Sequence, residues 1–147
     1  MSIVITRANH DALDALVPLF DAYRQFYAQA ADLQHARTFL TQRLDAADSI
    51  LLLASEASQA LGFTQLYPLW SSVNMAGIWL LNDLYVRPAA RRHGVASALL
   101  QAAREHGQRT GAHSLILETD PDNYPAQQLY QGQGWHRQSH LWYDLIL

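Results

Sequence analysis

Between residues 81 and 96 the chain passes from an apolar, strand-like run, Leu81-Asn82-Asp83-Leu84-Tyr85-Val86-Arg87-Pro88, into Arg91-Arg92-His93-Gly94-Val95-Ala96 at the head of a helix-like segment. A strand delivered through a turn into a helix leaves several backbone N–H groups unpaired at the helix N-terminus, where the helix dipole also favours negative charge. Anions bind there. Gly94 would let the backbone come close to a ligand, Ala96 keeps the next turn slim, and Arg91 with Arg92 can add charge-assisted hydrogen bonds to phosphate oxygens. The spacing Arg-x-x-Gly-x-Ala matches neither Gly-x-Gly-x-x-Gly nor Gly-x-x-x-x-Gly-Lys-Ser/Thr. A diphosphate is therefore a better guess than a dinucleotide or a nucleoside triphosphate. An exposed Arg pair at the head of an ordinary amphipathic helix is the competing reading.

The rest of the chain alternates strands and helices. Ile3, Val4 and Ile5 suggest a first strand, and Asn9 can cap a helix in which Leu13, Leu16, Val17, Phe20, Tyr23 and Tyr27 recur at helical spacing, with Pro18 able to kink or split it. A second helix is expected after Asp32, with Phe39, Leu40 and Leu44 as its buried stripe. Residues 49–54 read as a strand buried on both faces and residues 61–67 as its antiparallel partner, ended by Pro68. Residues 77–86 are expected to form the next strand, 94–110 a helix and 114–117 another strand. A short helix should follow around 126–131, then two closing strands at 135–136 and 141–147. This order predicts an α/β protein: a mixed sheet of about seven strands with four helices on both faces, in a single domain spanning 1–147.

About thirty residues beyond the first motif, and again after a β-rich run, the chain reads Asn123-Tyr124-Pro125-Ala126-Gln127-Gln128-Leu129-Tyr130-Gln131-Gly132-Gln133-Gly134-Trp135. With both blocks in view the sequence resembles the GNAT superfamily of N-acetyltransferases, whose motifs read Gln/Arg-x-x-Gly-x-Gly/Ala and Asn-x-x-Ala-x-x-Leu/Phe-Tyr-x-x-x-Gly-Phe/Trp. Every fixed position of both is filled, and the order of elements fits along the whole chain. The resemblance implies an enzyme that uses acetyl-CoA, lying where the fourth and fifth strands splay apart.

By that resemblance Leu84, Tyr85 and Val86 offer backbone groups to the pantetheine and the acetyl carbonyl. Arg91, Arg92, His93, Gly94, Val95 and Ala96 hold the pyrophosphate, and Ser97 adds a hydroxyl. Asn123 resembles the residue that hydrogen-bonds the pantetheine arm, a role compatible with capping a helix. Tyr130 resembles the general acid near the CoA sulfur; a core aromatic beside Leu129 is the alternative. Thiols titrate near 8.5 and phenols near 10, so full transfer of the Tyr130 proton is uphill by roughly 2 kcal/mol.

An attacking amine that titrates like Lys, near 10.4, costs about 4 kcal/mol to deprotonate at physiological pH, which calls for a base or a water chain. The fourth strand resembles that of spermidine/spermine acetyltransferases, Glu-Asp-aromatic-aromatic-Val. Here Asn82 stands at the Glu position and cannot act as a base. Asp83 and Glu118 are the remaining carboxylates for the role, and strand alternation would send Asn82 and Asp83 to opposite faces. Tyr23, Phe26 and Tyr27, with Tyr67, Trp70 and Trp79, could wall an amine site. Asp32, Asp45 and Asp48 are too dispersed to form the acidic track a long polyamine wants, which favours a small-molecule primary amine. Peptide or protein N-acetylation and a non-catalytic acyl-CoA-binding sensor are the alternatives.

Composition narrows the field. A net charge of −3 with ten scattered Arg and no Lys argues against a nucleic-acid surface. No Cys is present, so neither a disulfide framework, a thiolate metal site nor a cysteine acyl-enzyme is available. His136 and His140 sit on a strand-turn segment where i, i+4 spacing does not converge, and no metal site is expected. No stretch approaches the roughly 18 apolar residues of a membrane span, and the apolar run after Met1 is too short for a signal peptide. A cytoplasmic location is the expectation, and Trp142 with Tyr143 on the last strands makes a homodimer a hypothesis.

Overall fold

Ile50, Leu51, Leu52, Leu53 and Ala54 are apolar at five successive positions, and all five are buried. A strand can bury consecutive residues only when both sheet faces are covered. The computed structural model, which describes residues 2–147, meets that demand. It falls into two units, one reaching to Leu117 and the other Glu118–Leu147.

In the first unit β1 (Val4–Arg7), β2 (Ile50–Glu56), β3 (Gln59–Ser71), β4 (Ala76–Val86) and β5 (Leu115–Ile116) form one sheet in chain order. β1 to β4 are antiparallel and β5 joins β4 in parallel. Helices α1 (Leu13–Phe26) and α2 (Leu33–Ala46) pack on Leu51, Leu53 and Phe63, so the intervening Leu52 faces the other way, where α3 (Val95–Arg109) contacts β2, β3 and β4. Helices therefore cover both faces, as expected.

Local signals set several boundaries. The Asp32 side chain accepts a hydrogen bond from His35 N–H and caps α2. Asn9 caps a single 3₁₀ turn, His10–Ala12, and α1 starts after it at Leu13. Pro18 neither ends nor splits α1. The loss of one N–H is outweighed by burial of Leu16, Val17, Leu19 and Phe20 around it.

Two expectations need correction. β3 does not stop at Pro68 but runs to Ser71, with Pro68 opposite Trp79. β2 begins at Ile50, opposite Leu66, so beyond Leu66 one side of β3 is an edge. Trp79 N–H donates instead to Ser114 O, which makes Pro68 and Trp79 a non-hydrogen-bonded pair and turns the proline nitrogen toward that edge. Proline is tolerated there because no donor is required.

The described residues hold five strands, not about seven. Residues 135–147, expected to supply two closing strands, form no ladder, and Leu141, Trp142, Tyr143, Leu145, Ile146 and Leu147 are exposed. β-prone composition does not make a strand without a partner. The second unit contains one helix, α4 (Tyr124–Gly132).

Candidate active site

The ladder between β4 and β5 has two pairs, Trp79 with Leu115 and Leu80 with Ile116. β4 runs on to Val86. Within the first unit the far edge of β4 beyond Leu80 therefore has no strand beside it. Arg87 N–H donates to Leu61 O, which makes those residues a hydrogen-bonded pair. Antiparallel alternation then points the backbone groups of Tyr85 at β3 and those of Leu84 and Val86 at the open edge. Of the three residues expected to offer backbone groups, Leu84 and Val86 turn theirs to the open edge and Tyr85 turns its own toward β3. The Val86 carbonyl is already engaged, accepting from Arg91 Nε at 2.9 Å, while the Arg91 guanidinium lies 5.6 Å from the centre of the Tyr85 ring.

After β4, a 3₁₀ turn at Pro88–Ala90 leads to Arg91, to Arg92 at φ +63° and to Gly94 at φ +83°. Gly94 is the N-cap of α3, and no side chain caps that end. Ala98 N–H bonds to Gly94 O, so the amides of Val95, Ala96 and Ser97 precede the first intrahelical bond and point out of the helix. No atom lies within 4 Å of where a Gly94 Cβ would stand. Glycine is needed there for its positive φ, and the open space in front of it is what a bulky anion requires. Arg92 and His93 are exposed beside it. Amides ahead of the first intrahelical bond, local positive charge and clear space fit a pyrophosphate.

Asp83 is the most enclosed titratable group, 2% exposed. Opposite β4, register shifts from Gln65–Asp83 to Leu66–Leu81, which leaves Asn82 as an extra residue in a β-bulge. The bulge breaks alternation. Asn82 and Asp83 were expected on opposite faces, yet Asn82 Nδ2 donates to Asp83 Oδ1 at 2.6 Å. Gln65 Nε2 donates to Asp83 Oδ2, also at 2.6 Å, and Ser49 Oγ donates to Gln65 Oε1 at 2.8 Å. The Tyr23 hydroxyl donates to Asn82 O at 3.2 Å and lies close enough to the Asp83 carboxylate to favour its charged form.

Burial holds the Asp83 carboxyl above its ordinary value, against the opposing pull of hydrogen bonds from Asn82, Gln65 and Tyr23. Burial first, and then the nearby Asp83 charge, raises the phenols of Tyr23 and Tyr67 far above theirs. Both stay protonated at any working pH. Sequence reasoning missed Gln65 and Ser49; the available signal was Thr64-Gln65, two polar residues inside an otherwise apolar strand.

Of the expected aromatic wall, Tyr23 and Tyr27 meet edge to face at 5.2 Å, Phe26 and Tyr27 at 5.3 Å, and Tyr67 lies close enough to feel Asp83. Trp79 does not join them. It packs on His106 of α3 at 4.7 Å and donates to Thr110 Oγ1. Trp70 is largely exposed near the end of the β3–β4 hairpin.

Glu118, Asn123 and Tyr130 belong to the second unit. Asn123 Oδ1 accepts from Ala126 N–H and caps α4. Tyr130 is half-buried on that helix, its ring 6.2 Å from that of Trp135, and its carbonyl accepts from Trp135 N–H. Among the described residues no three His, Asp or Glu side chains gather as a metal site.

The model of the acetyltransferase (GNAT) family matches residues 13–135. The chain is 45% identical over 131 residues to the uncharacterized N-acetyltransferase YhfO of Bacillus subtilis (strain 168), a match covering 89% of this chain and 88% of that protein. A probable acetyltransferase of known crystal structure is 39% identical with a TM-score of 0.91, over 100% of this chain and 98% of that one. An aminoglycoside N-acetyltransferase in complex with CoA shares the fold at 20% identity, with a TM-score of 0.86 over 99% of this chain and 95% of that one. The chain belongs to the GNAT acetyltransferase family, whose acyl donor is acetyl-CoA.

Proposed function

We propose that the enzyme transfers the acetyl group to the primary amine of a small molecule by direct attack of the amine on the thioester carbonyl. The observation that carries this reading is the buried Asp83 carboxylate, held by two amide donors and flanked by the Tyr23 and Tyr67 phenols. Raised by burial, Asp83 is a better proton acceptor than a surface carboxylate. The half-buried Tyr23 hydroxyl links it to solvent, so the amine proton passes to the Tyr23 oxygen as the Tyr23 proton passes to Asp83. Val86 N–H, facing the open edge, holds the thioester carbonyl oxygen. The amides of Val95, Ala96 and Ser97, with Arg92 and His93, hold the pyrophosphate.

Asn123 serves the pantetheine arm and Tyr130 supplies a proton to the departing sulfur, roles that rest on the family motif these residues fill. Glu118 is the second carboxylate in reserve as base. The two units act as one domain over 1–147, since the family match runs through both. A small amine fits because Tyr23, Phe26, Tyr27 and Tyr67 supply aromatic surface without an acidic track. A cytoplasmic place belongs to the same reading. Among the described residues no helix is long and apolar enough to cross a membrane. A homodimer through the exposed Trp142 and Tyr143 completes it.

The test is thiol release from acetyl-CoA across polyamines, amino acids, aminoglycosides and short peptides; without Cys the protein adds no background. Release that depends on a small amine, falling by about 10²-fold or more in Asp83→Asn, is the expected result. Release with peptides alone would replace the acceptor. CoA binding without release for any amine would favour an acyl-CoA sensor.

A further inference from the structure

A buried general base must be stable in two states. As a carboxylate, Asp83 wants donors at both oxygens; as an acid, it must itself donate to something. Asn82 Nδ2 at Oδ1 serves either state, because that oxygen keeps its lone pairs. The difficulty lies at Oδ2, which faces the –NH₂ of Gln65 at 2.6 Å. A proton placed there would meet two other hydrogens. Gln65 is itself fully buried, and Ser49 nearly so, so water does not readily take over. Thr64 Oγ1 donates to the Asp83 backbone carbonyl at 2.7 Å, which fixes that hydroxyl on the main chain.

The geometry points to Gln65 as a positioning residue that reverses with the charge on Asp83, with the Ser49 hydroxyl as the pivot that permits it. This rests on the reading of Asp83 as the base. In the ionised state Gln65 Nε2 donates to Asp83 Oδ2 and Gln65 Oε1 accepts from Ser49 Oγ, the arrangement observed. When Asp83 is protonated at Oδ2, half a turn of the amide about its last bond brings Oε1 to accept from the new O–H. Nε2 then donates to Ser49 Oγ, whose hydroxyl swings its hydrogen aside. A hydroxyl is donor and acceptor at once and serves both states; an amide has one end of each kind and also serves both. No bond between heavy atoms is made or broken: the amine N–H breaks as the Tyr23 O–H re-forms, and the single proton Asp83 gains is the one Tyr23 gives up.

Other titratable groups near the carboxylate do not replace this function. Tyr23 on α1 and Tyr67 on β3 both face Asp83 and remain protonated, while Arg43 on α2 and Asp48 act on Tyr67. Tyr23 acts on the carboxylate as a donor, and Arg43 and Asp48 act on Tyr67 rather than on Oδ2.

The experiment is NMR on the isotopically labelled, unliganded enzyme, following the Asp83 carboxyl carbon and the Gln65 side-chain amide over the pH range in which the protein stays folded. The expected result is that the Asp83 carboxyl titrates and that, with the same midpoint, the Gln65 amide protons exchange their close contact with the Asp83 β-protons for one with the Ser49 β-protons. In Asp83→Asn the amide should keep one set of contacts throughout. Amide contacts that stay on Asp83 while its carboxyl titrates would overturn the inference, as would a carboxyl that does not titrate at all. No substrate is present, so the failure of Asp83 as the base is read separately. Amide reversal with full turnover in Asp83→Asn would sink the base assignment and leave the reversal standing.

Discussion

Arg91 Nε donates to Val86 O at 2.9 Å, so the first arginine of the anion loop is tied to the last residue of the strand that feeds it. The bond fixes the Val86–Arg87 peptide, whose N–H is held from the other side by Leu61 O, and it costs Arg91 part of its reach toward phosphate. Arg91→Met should raise the KM for acetyl-CoA about tenfold, the effect of losing one charge-assisted hydrogen bond. The KM for the amine should change little. Arg91→Lys should not restore it, since lysine has no Nε–H set back from its tip. Steady-state kinetics with each substrate varied in turn checks both statements.

Gly94 stands at φ +83° with nothing near its missing Cβ, so a side chain there meets strain and no clash. Gly94→Ala should lower stability by roughly 1–2 kcal/mol, the cost of a left-handed alanine, and thermal unfolding by a few degrees. Gly62 makes the opposite case. Its Cβ would lie 2.5 Å from the Tyr85 backbone carbonyl. Gly62→Ala should cost about 1–3 kcal/mol by displacing β4 itself. Acetyl-CoA protection against melting should survive in neither variant to the wild-type extent, and calorimetry with and without acetyl-CoA measures it.

What the sequence made readable was local. The helix after Asp32, the helix at the end of the Arg91–Gly94 turn and the apolar run of β2 each depend on a few neighbouring residues, and each appears where the residues say. What it hid was pairing. The Asn82 bulge overturns the expected alternation because it arises from the register against Gln65 and Leu66, fifteen or more residues away. Trp79 could be placed in an amine site only while its partner Thr110 was unknown. Pro68 ends a strand by the usual rule, and the exception depends on where β2 begins. Gln65 escaped notice because a polar residue in an apolar strand gives no hint of which carboxylate it will meet.

The loop between α1 and α2 is tied down from a buried position. Asp21 Oδ1 accepts from Asp32 N–H at 2.8 Å, Oδ2 accepts from Gln25 Nε2 at 3.0 Å, and Arg24 donates to Ala30 O. Asp21→Ala would leave the Asp32 amide unpaired at the head of α2. A loss of about 1–3 kcal/mol is expected, read as a drop of several degrees in thermal unfolding. If the aromatic residues at the start of this loop contact the amine, the same variant should raise the amine KM more than that of acetyl-CoA.

His106 is buried against Trp79, and among the described residues its Nε2 has no partner. Burial first, then Arg109 and Arg7, hold its pKa below the ordinary 6.5. The unfolded chain then takes up the proton before the folded one, so this histidine costs stability as pH falls from about 6.5 toward its folded value. Asp83, shifted upward, acts with the opposite sign, its stabilising share lost as pH rises above the usual carboxylate value. Comparing wild type with His106→Gln isolates the first effect. The wild type should lose more thermal stability between pH 7 and 5.5 than the variant, and equal losses would refute the assignment.

The proline in β3 also bears on the fate of the hairpin beyond the sheet. Past Pro68 the ladder pairs only β3 with β4, a two-stranded ribbon carrying Trp70, Val73 and Met75 in solvent, the kind of feature that invites another chain to add itself as a third strand. Its outer rail lacks a donor at Pro68, so an incoming strand would find the hydrogen-bond register broken there. The same residue that costs β3 nothing in its own ladder guards the ribbon against templated growth.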